Sequence, residues 1–389
     1  MPFYLNKYKI AGKEISFATL AWIIICSFSI IAQVAKGIAH NNNYLIFINV
    51  FFHSLQKLNL FDAYPLAYGD TNHYGPFFSL IIAPFAALPN TIGLFLWCMA
   101  NTLFLLYAVK KLPVSDTNKN IILLIGIVEM LTALHNVQFN PMATSWILFS
   151  YILVKEKKDF WATMFIAAGL LVKLYGIVGL AFFLFSDNKL KFVLSFIFWM
   201  LVFYALPMAI SSPAFVNKSY LDWYYSLAEK NDNNATSTMQ GMTAMKVLQK
   251  VFLLNFITNK ILIAFGFVLY VCTLFKNKYF KNTHFQLDYV ASLLIAVVIF
   301  SSSAEAATFV IAMMGVALWF VNQQQKTKLE IALLIFAIVF TSLASTDLFP
   351  RFIKEQFIRP YAIKAMPCLF IWLLLMYQLL FKKYDSVTS

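Results

Sequence analysis

Apolar runs of about 20 residues recur along the whole chain, and they restrict its fold more than any other feature. Hydrophobic residues occupy 61% of the 389 positions and charged residues 12%, whereas a soluble domain has roughly 45–50% and about 25%. A β-barrel is not indicated, because barrel strands alternate apolar and polar residues over about 10 positions. The sequence therefore predicts an all-α polytopic membrane protein with one integral membrane domain over residues 1–389.

The lysines indicate how the chain is oriented in the membrane. The net charge is +13, and the lysines lie in short clusters between apolar runs, as cytoplasmic loops do. This pattern argues against nucleic-acid binding. If the chain has about 12 transmembrane helices and both termini are cytoplasmic, every lysine cluster lies on the cytoplasmic side. The predicted location is the plasma (inner) membrane. The predicted spans are residues 16–38, 91–109, 119–135, 139–154, 160–172, 174–186, 190–211, 257–276, 287–304, 308–322, 329–347 and 367–383.

Two apolar stretches do not fit a single crossing. Residues 76–89 reach only about 20 Å as a helix, against a hydrocarbon core of about 30 Å, so they are predicted to be re-entrant or interfacial. The stretch from Phe160 to Phe185 has basic clusters at both ends and must be two short helices. The break is predicted at Lys173-Leu174-Tyr175-Gly176. A lysine deep in an apolar stretch is a candidate functional residue, and a lysine that snorkels to the interface is the alternative.

Polar residues outside the basic loops converge on the outer side of this topology. They include two predicted outer loops, at about 39–90 and 211–255, and the segment 346–367, which holds Lys364 and both arginines of the chain. Because Arg binds phosphate bidentately, these cations indicate an anionic ligand, and contact with lipid headgroups is the alternative. The candidate site residues are Asp62, Asp70, His73, Tyr74, Gln138, Asn140, Lys173, Asp222, Trp223, Glu305, Arg351 and Arg359.

Cofactor motifs are absent from the sequence. There is no P-loop, no dinucleotide fingerprint and no His-Glu-x-x-His. The four cysteines lie inside apolar runs, and His53, His73 and His135 are scattered, so neither a cofactor nor a metal site is predicted. A role for a divalent metal stays open. Glu129 lies within the third span and is expected to pair internally, and a structural ion pair is one alternative for Glu305.

Several short motifs resemble one family in order and spacing. Asn59-Leu60-Phe61, Tyr64-Pro65, Asp70 and Tyr74-Gly75-Pro76-Phe77-Phe78 resemble the first outer loop of the polyprenol-phosphate-sugar-dependent glycosyltransferases of family 87 (the DUF2029 family). Gln138-Phe139-Asn140-Pro141 resembles the Gln-x-Asn-Pro motif of that family, and Lys173-Leu174-Tyr175-Gly176 resembles its lysine-centred break. Asp222-Trp223-Tyr224, with Ser226-Leu227, and the Ser-rich turn before Glu305 are similar to later blocks.

The resemblance implies a GT-C-like bundle and an inverting sugar transfer on the outer membrane face. The partners it implies are membrane lipids, a polyprenyl-phosphate donor of a hexose such as mannose, and a glycan or glycolipid acceptor. Lys173, Arg351 and Arg359 would bind the donor phosphate. The remaining polar candidates would contact the substrate; they are His73, Tyr74, Gln138, Asn140, Asp222, Trp223 and Glu305.

The chain departs from the family at the expected catalytic base. Many members have an Asp directly after the first helix, where this chain has Asn41-Asn42-Asn43. An amide cannot accept a proton at neutral pH, so the base is predicted to be Asp70, with Asp62 as the second choice. Two other functions stay open from the sequence: a transporter or flippase of a lipid-linked or anionic solute, and a non-catalytic membrane subunit.

Overall fold

The computed structural model describes residues 6–10, 12–236 and 241–384, and the protein is 76% helical. Before the first long helix, β1 (Lys7–Ile10) and β2 (Lys13–Ser16) form an antiparallel pair in which Lys7 lies opposite Ser16. Gly12 supplies the positive φ of 79° in the turn between these strands, a conformation that costs glycine little. The rest of the described chain is helical or irregular.

Helices begin or end within a few residues of every predicted span. The α-helices are α1 (Phe17–Ala35), α2 (Asn42–Gln56), α3 (Phe78–Ala86), α4 (Asn90–Lys111), α5 (Asp116–His135), α6 (Asn140–Lys155), α7 (Asp159–Lys173), α8 (Lys189–Ala205), α9 (Pro213–Thr236), α10 (Ala244–Lys250), α11 (Asn259–Cys272), α12 (Thr283–Ile299), α13 (Phe309–Asn322), α14 (Lys328–Ala337), α15 (Arg351–Ile353) and α16 (Met366–Phe381). Tighter or wider helical turns extend some of them; they are Leu206–Ala209, Thr273–Tyr279, Ile338–Ser342 and Lys354–Ile358.

Seven helices of the described chain are long and apolar enough to cross a membrane. They are Phe17–Ala35, Asn90–Lys111, Asp116–His135, Lys189–Ala209, Asn259–Tyr279, Lys328–Ser345 and Ile363–Phe381. Three further apolar helices are shorter: Tyr175–Phe185, Thr283–Ile299 and Ala306–Asn322. The all-α polytopic architecture is thus confirmed, and the count of twelve spans is not.

The chain divides into two compact units. One comprises the described residues of 1–22, 113–132 and 231–389, and the other comprises residues 23–112 and 133–230. In the first unit α12 packs along α13, and both pack against α16. In the second unit α7 lies between α6 and α8, and α4 packs on α6. The single domain predicted for residues 1–389 stays a prediction.

The predicted outer loops contain helices that the sequence did not reveal. Residues 39–90 include α2 and α3, and residues 211–255 include α9 and α10. In α9 the residues Val216, Ser219 and Trp223 are buried, at a helical spacing of three and then four. The remainder of α9 is too polar for a membrane span, so an apolar pattern alone predicts a loop over these residues. The nine residues of α3 reach about 14 Å, so the prediction that this stretch is not a full span is confirmed.

The predicted break at Lys173 is confirmed. Helix α7 ends at Lys173, Leu174 adopts a left-handed φ of 47°, and a 3₁₀ helix runs from Tyr175 to Phe185. The chain turns so closely that a Cβ on Gly176 would lie 2.5 Å from the carbonyl carbon of Gly169 and from the amide nitrogen of Leu170. Only glycine therefore fits at position 176, and the chain reverses direction sharply just after Lys173, at the end of α7.

Candidate functional site

The residues of the candidate site in the second unit are built around Lys173. The Nζ atom of this half-buried lysine donates hydrogen bonds to Asn140 Oδ1 at 2.8 Å and to Tyr74 Oη at 3.3 Å. Asn140 is 1% exposed and begins α6, where Pro141 fits because the first helical position needs no amide donor. The start of α6 and the end of α7 therefore lie next to each other at the Lys173 ammonium group.

Tyr74 connects Lys173 to the motif that precedes α6. Its hydroxyl group donates to Gln138 Oε1 at 3.1 Å, and its ring lies 5.1 Å from Lys173 Nζ. The same ring stacks on Phe78 at a centroid distance of 4.6 Å and meets the edge of Phe47 at 5.0 Å. The aromatic core of this unit thus fixes the tyrosine that positions the lysine.

The turn that carries Tyr74 is clamped on both sides. Asn72, which is 1% exposed, binds the amide and the carbonyl of Tyr74, each at 2.9 Å. Gly75 donates its amide to the carbonyl oxygen of Val172 at 3.0 Å. A Cβ on Gly75 would collide with the carbonyl of Leu171 and with the Trp223 ring. The close contact between this turn and α7 therefore requires glycine.

Helix α9 holds the other side of the turn. Trp223 Nε1 donates to the carbonyl oxygen of His73 at 2.9 Å, and Trp223 is 6% exposed. Nδ1 of His73 lies 3.2 Å from Ser226 Oγ, and its Nε2 lies 3.4 Å from Thr71 Oγ1. The predicted residues His73 and Trp223 are therefore brought together with Tyr74 and Lys173, although the tryptophan ring is largely covered.

The environment of His73 favours its neutral form. The pKa of the imidazole is lowered to about 4: burial is the largest cause, the ammonium groups of Lys230 and Lys173 also lower it, and the Asp70 carboxylate opposes them. The imidazole is therefore uncharged at neutral pH. One ring nitrogen then donates a hydrogen bond and the other accepts one.

The two candidate bases lie on the same loop and are both exposed. Asp70 Oδ1 accepts a hydrogen bond from the amide of Thr71 at 2.8 Å, and the amide of the preceding Gly69 donates to Asn42 Oδ1 at 2.7 Å. Asp70 is thereby held beside the start of α2. Asp62 lies near Tyr64, whose pKa is raised by burial and, to a smaller extent, by that carboxylate.

The three asparagines after α1 have structural contacts. Asn41 is buried, accepts from Gln33 Nε2 at 2.8 Å and donates to the carbonyl of Gly37 at 2.8 Å. Asn42 holds Gly69, and Asn43 Nδ2 donates to the carbonyl of Asn136 at 2.7 Å. The side chains of these asparagines therefore connect the start of α2 to the end of α1, to the loop before Asp70 and to the segment after α5.

Four predicted site residues lie away from the Lys173 cluster or in the other unit. Asp222 forms an exposed ion pair with Lys218 at 2.8 Å. In the first unit, the Glu305 side chain caps the turn Ala306–Thr308 that leads into α13. Arg351 pairs with Glu355 at 2.6 Å and its side chain is 86% exposed; Arg359 is also exposed.

The internal partner expected for Glu129 is Lys364. The Nζ atom of Lys364 lies 2.6 Å from Glu129 Oε1, 2.6 Å from Ser345 Oγ and 2.8 Å from the carbonyl of Thr341. The side chains of Lys364 and Glu129 are 1% and 0% exposed. The sequence predicts Lys364 to be one of the outer cations, and the structure corrects this, because its partner Glu129 is 235 positions away and cannot be inferred from the local sequence.

Within residues 6–10, 12–236 and 241–384, no group of three or more His, Cys, Asp or Glu side chains is arranged to hold a metal ion. The prediction of a reaction without a cofactor stays a prediction.

The helices and this cluster define a multi-pass membrane protein with a lysine-centred polar site at helix ends. The family model described as Glycosyltransferase family 87 matches residues 72–346, and the chain belongs to this family. Membership implies a membrane glycosyltransferase. The match includes the cluster residues Tyr74, Gln138, Asn140 and Lys173, whereas Asp62, Asp70, Arg351 and Arg359 lie outside it. No curated protein matches the chain.

Proposed function

We propose that the protein transfers a hexose, such as mannose, from a polyprenyl-phosphate donor to a glycan or glycolipid acceptor. The reaction would take place on the outer face of the plasma (inner) membrane, in a GT-C-like bundle of about twelve transmembrane helices with both termini cytoplasmic. The observation that carries this proposal is Lys173, which stands at a confirmed helix break within an apolar region and is held by Asn140 and Tyr74. Family membership supports the class of reaction.

Lys173 suits the donor phosphate for a physical reason. Charge develops on the phosphate oxygen as the sugar leaves, and a cation fixed in advance stabilises that charge without having to reorganise. Two neutral oxygens and two aromatic rings, those of Tyr74 and Tyr175, fix the ammonium. Arg351 and Arg359 are proposed as further donor ligands, because guanidinium groups bind phosphate oxygens in pairs.

Asp70 is proposed as the general base, with Asp62 as the second choice. Its carboxylate would take the proton of the acceptor hydroxyl, whose oxygen then attacks the anomeric carbon. The bond between that carbon and the phosphate oxygen breaks, and its electron pair stays on the phosphate. Attack from the face opposite the phosphate inverts the anomeric configuration. The exposed position of Asp70 supports this role, because an acceptor reaches it from water.

The remaining candidates are proposed to contact the substrate. Tyr74, His73, Gln138 and Asn140 offer polar atoms beside Lys173. Asp222 and Glu305 are carboxylates that suit sugar hydroxyls. Trp223 is 6% exposed and would act mainly through the turn that it holds.

The test is a transfer assay with the purified protein in proteoliposomes. A polyprenyl-phosphate mannose labelled in the sugar is supplied together with a membrane glycolipid extract as acceptor. We expect a labelled glycolipid and an equal amount of free polyprenyl phosphate. Movement of intact labelled donor across the bilayer without cleavage would contradict the proposal and favour a lipid transporter.

A further inference from the structure

A second cation stands near the Lys173 cluster, on α9. Ser226 of this helix contacts the His73 imidazole, and Lys230 follows four residues later. Residues four apart lie on the same face of a helix, so the face that touches His73 also carries Lys230. The electrostatic influence of Lys230 and Lys173 on His73 agrees with this placement. Lys173, at the end of α7, contacts the hydroxyl group of Tyr74, the residue after His73, so α7 and α9 each bring an ammonium group towards the turn that carries His73.

We propose that Lys230 and His73 complete the phosphate site of Lys173, and that His73 takes up a proton when the anion binds. The chemistry recognised is the phosphate group at the end of a prenyl chain. The identification of that lipid rests on the proposed function, whereas the anion site itself rests on the cluster of Lys173, His73, Ser226 and Lys230.

The proton follows from the charges around the imidazole. The groups that act on His73 are Lys230 and Lys173, which are cationic, and Asp70, which is anionic. An anion bound among them adds negative charge close to the ring, and this favours the imidazolium form. The effect is greater for the phosphomonoester product, which carries more negative charge than the phosphodiester donor. The bound proton would therefore help to stabilise the leaving phosphate while staying on the imidazole.

The direction of the pH dependence follows from linkage. Without ligand, His73 has a pKa of about 4, so it is neutral at pH 7. The bound anion raises this pKa, so affinity increases as the pH falls from the bound-state pKa towards the free-state pKa of about 4, and it is low and constant above the bound-state pKa. One linked proton changes affinity by at most about tenfold per pH unit.

The experiment measures binding of citronellyl sulfate to the purified full-length chain at pH 7.5 and pH 5.5. The sulfate group does not titrate in this range, so any pH dependence belongs to the protein. We expect the wild-type Kd to fall several-fold at the lower pH, and His73→Gln to show no such change. Lys230→Met should weaken binding by about tenfold or more, because a charge-assisted contact is lost, and Lys230→Arg should restore it.

Two further variants and one further ligand make the result interpretable. Lys57→Met removes an exposed lysine from the end of α2, and its affinity should equal the wild type. Ser226→Ala keeps the imidazole, so it should keep the pH dependence even if His73→Gln disturbs the turn. Inorganic sulfate should bind much more weakly than citronellyl sulfate if the prenyl chain is recognised.

The inference is overturned if Lys230→Met binds like the wild type, or if His73→Gln keeps the full pH dependence. Equal affinity for inorganic sulfate and citronellyl sulfate would contradict a prenyl-phosphate ligand. If the wild type binds with the expected pH dependence but transfers no sugar, the anion site stands and the proposed function fails. Sugar transfer without the pH dependence would leave the proposed function standing and reject this inference.

Discussion

Lys173 and Lys364 each stand at a helix end next to apolar sequence, one in each unit, yet their surroundings differ. Lys364 is 1% exposed and is held by a carboxylate, a hydroxyl and a carbonyl oxygen. Lys173 is half-buried and lies against an amide oxygen, a phenol and two aromatic rings. The fully buried lysine cannot reach a ligand and serves structure, whereas the partly exposed one can meet a phosphate.

The largest effect on stability is expected at Lys364, because this lysine is part of a buried ion pair. Removing one partner of a buried ion pair costs about 3–5 kcal/mol, because the other charge remains buried without compensation. Lys364→Met should therefore lower thermal stability in detergent strongly, and Glu129→Leu together with Lys364→Met should recover much of the loss. Lys328→Met removes an exposed lysine from the same unit and should leave stability unchanged. A stable Lys364→Met protein with lost donor binding would reverse the comparison.

The loop beside Lys173 should carry the proton transfer. Asp70→Asn keeps the shape of the side chain and removes its ability to accept a proton, so turnover of a polyprenyl-phosphate sugar should fall by about 10²–10⁴-fold. Donor binding should persist, because Lys173 is unchanged. Asp62→Asn is the matched control on the same loop and should turn over normally. A normal rate for Asp70→Asn with an inactive Asp62→Asn would move the role to Asp62.

The turn at Gly75 should be sensitive to a single methyl group. Gly75→Ala would place a Cβ against the Leu171 carbonyl and the Trp223 ring, and crowding of this kind costs about 1–3 kcal/mol. The variant should unfold at a lower temperature and bind the donor more weakly. Gly69→Ala, in the same loop, would bring its Cβ to within 3.7 Å of Asn42 Oδ1, an ordinary contact, and should behave like the wild type. If Gly75→Ala were as stable as Gly69→Ala, the turn at Gly75 would be able to shift and accept the added methyl group.

The sequence predicted the features that depend on local pattern. A lysine between two apolar runs with basic flanks located the break at Lys173, and short motifs predicted Tyr74, Gln138 and Asn140 as site residues. The structure brings Tyr74 and Asn140 to the lysine ammonium group and Gln138 to the Tyr74 hydroxyl group. Loop lengths and apolar runs were sufficient to predict this break, because a membrane span has a minimum length and basic loops prefer the cytoplasmic side.

Features that depend on partners distant in sequence were not predictable. Helix α9 is polar over most of its length, and only its buried residues show which face packs. The sequence predicts Glu305 as a substrate contact, and the structure adds that its side chain caps a helix start. The burial of Lys364 depends on Glu129, which lies 235 positions earlier in the chain. Such contacts between residues far apart in the chain cannot be inferred from a single sequence.

The central claim is that Lys173 binds the donor phosphate, and the most direct measurement is the affinity of Lys173→Met for a non-hydrolysable polyprenyl-phosphate sugar analogue. Loss of the charge-assisted contact should weaken binding by about tenfold or more. The thermal stability of the variant should stay near that of the wild type, because the aromatic core around Tyr74 remains intact. Wild-type affinity in a well-folded Lys173→Met protein would contradict the claim and assign this lysine to the membrane interface.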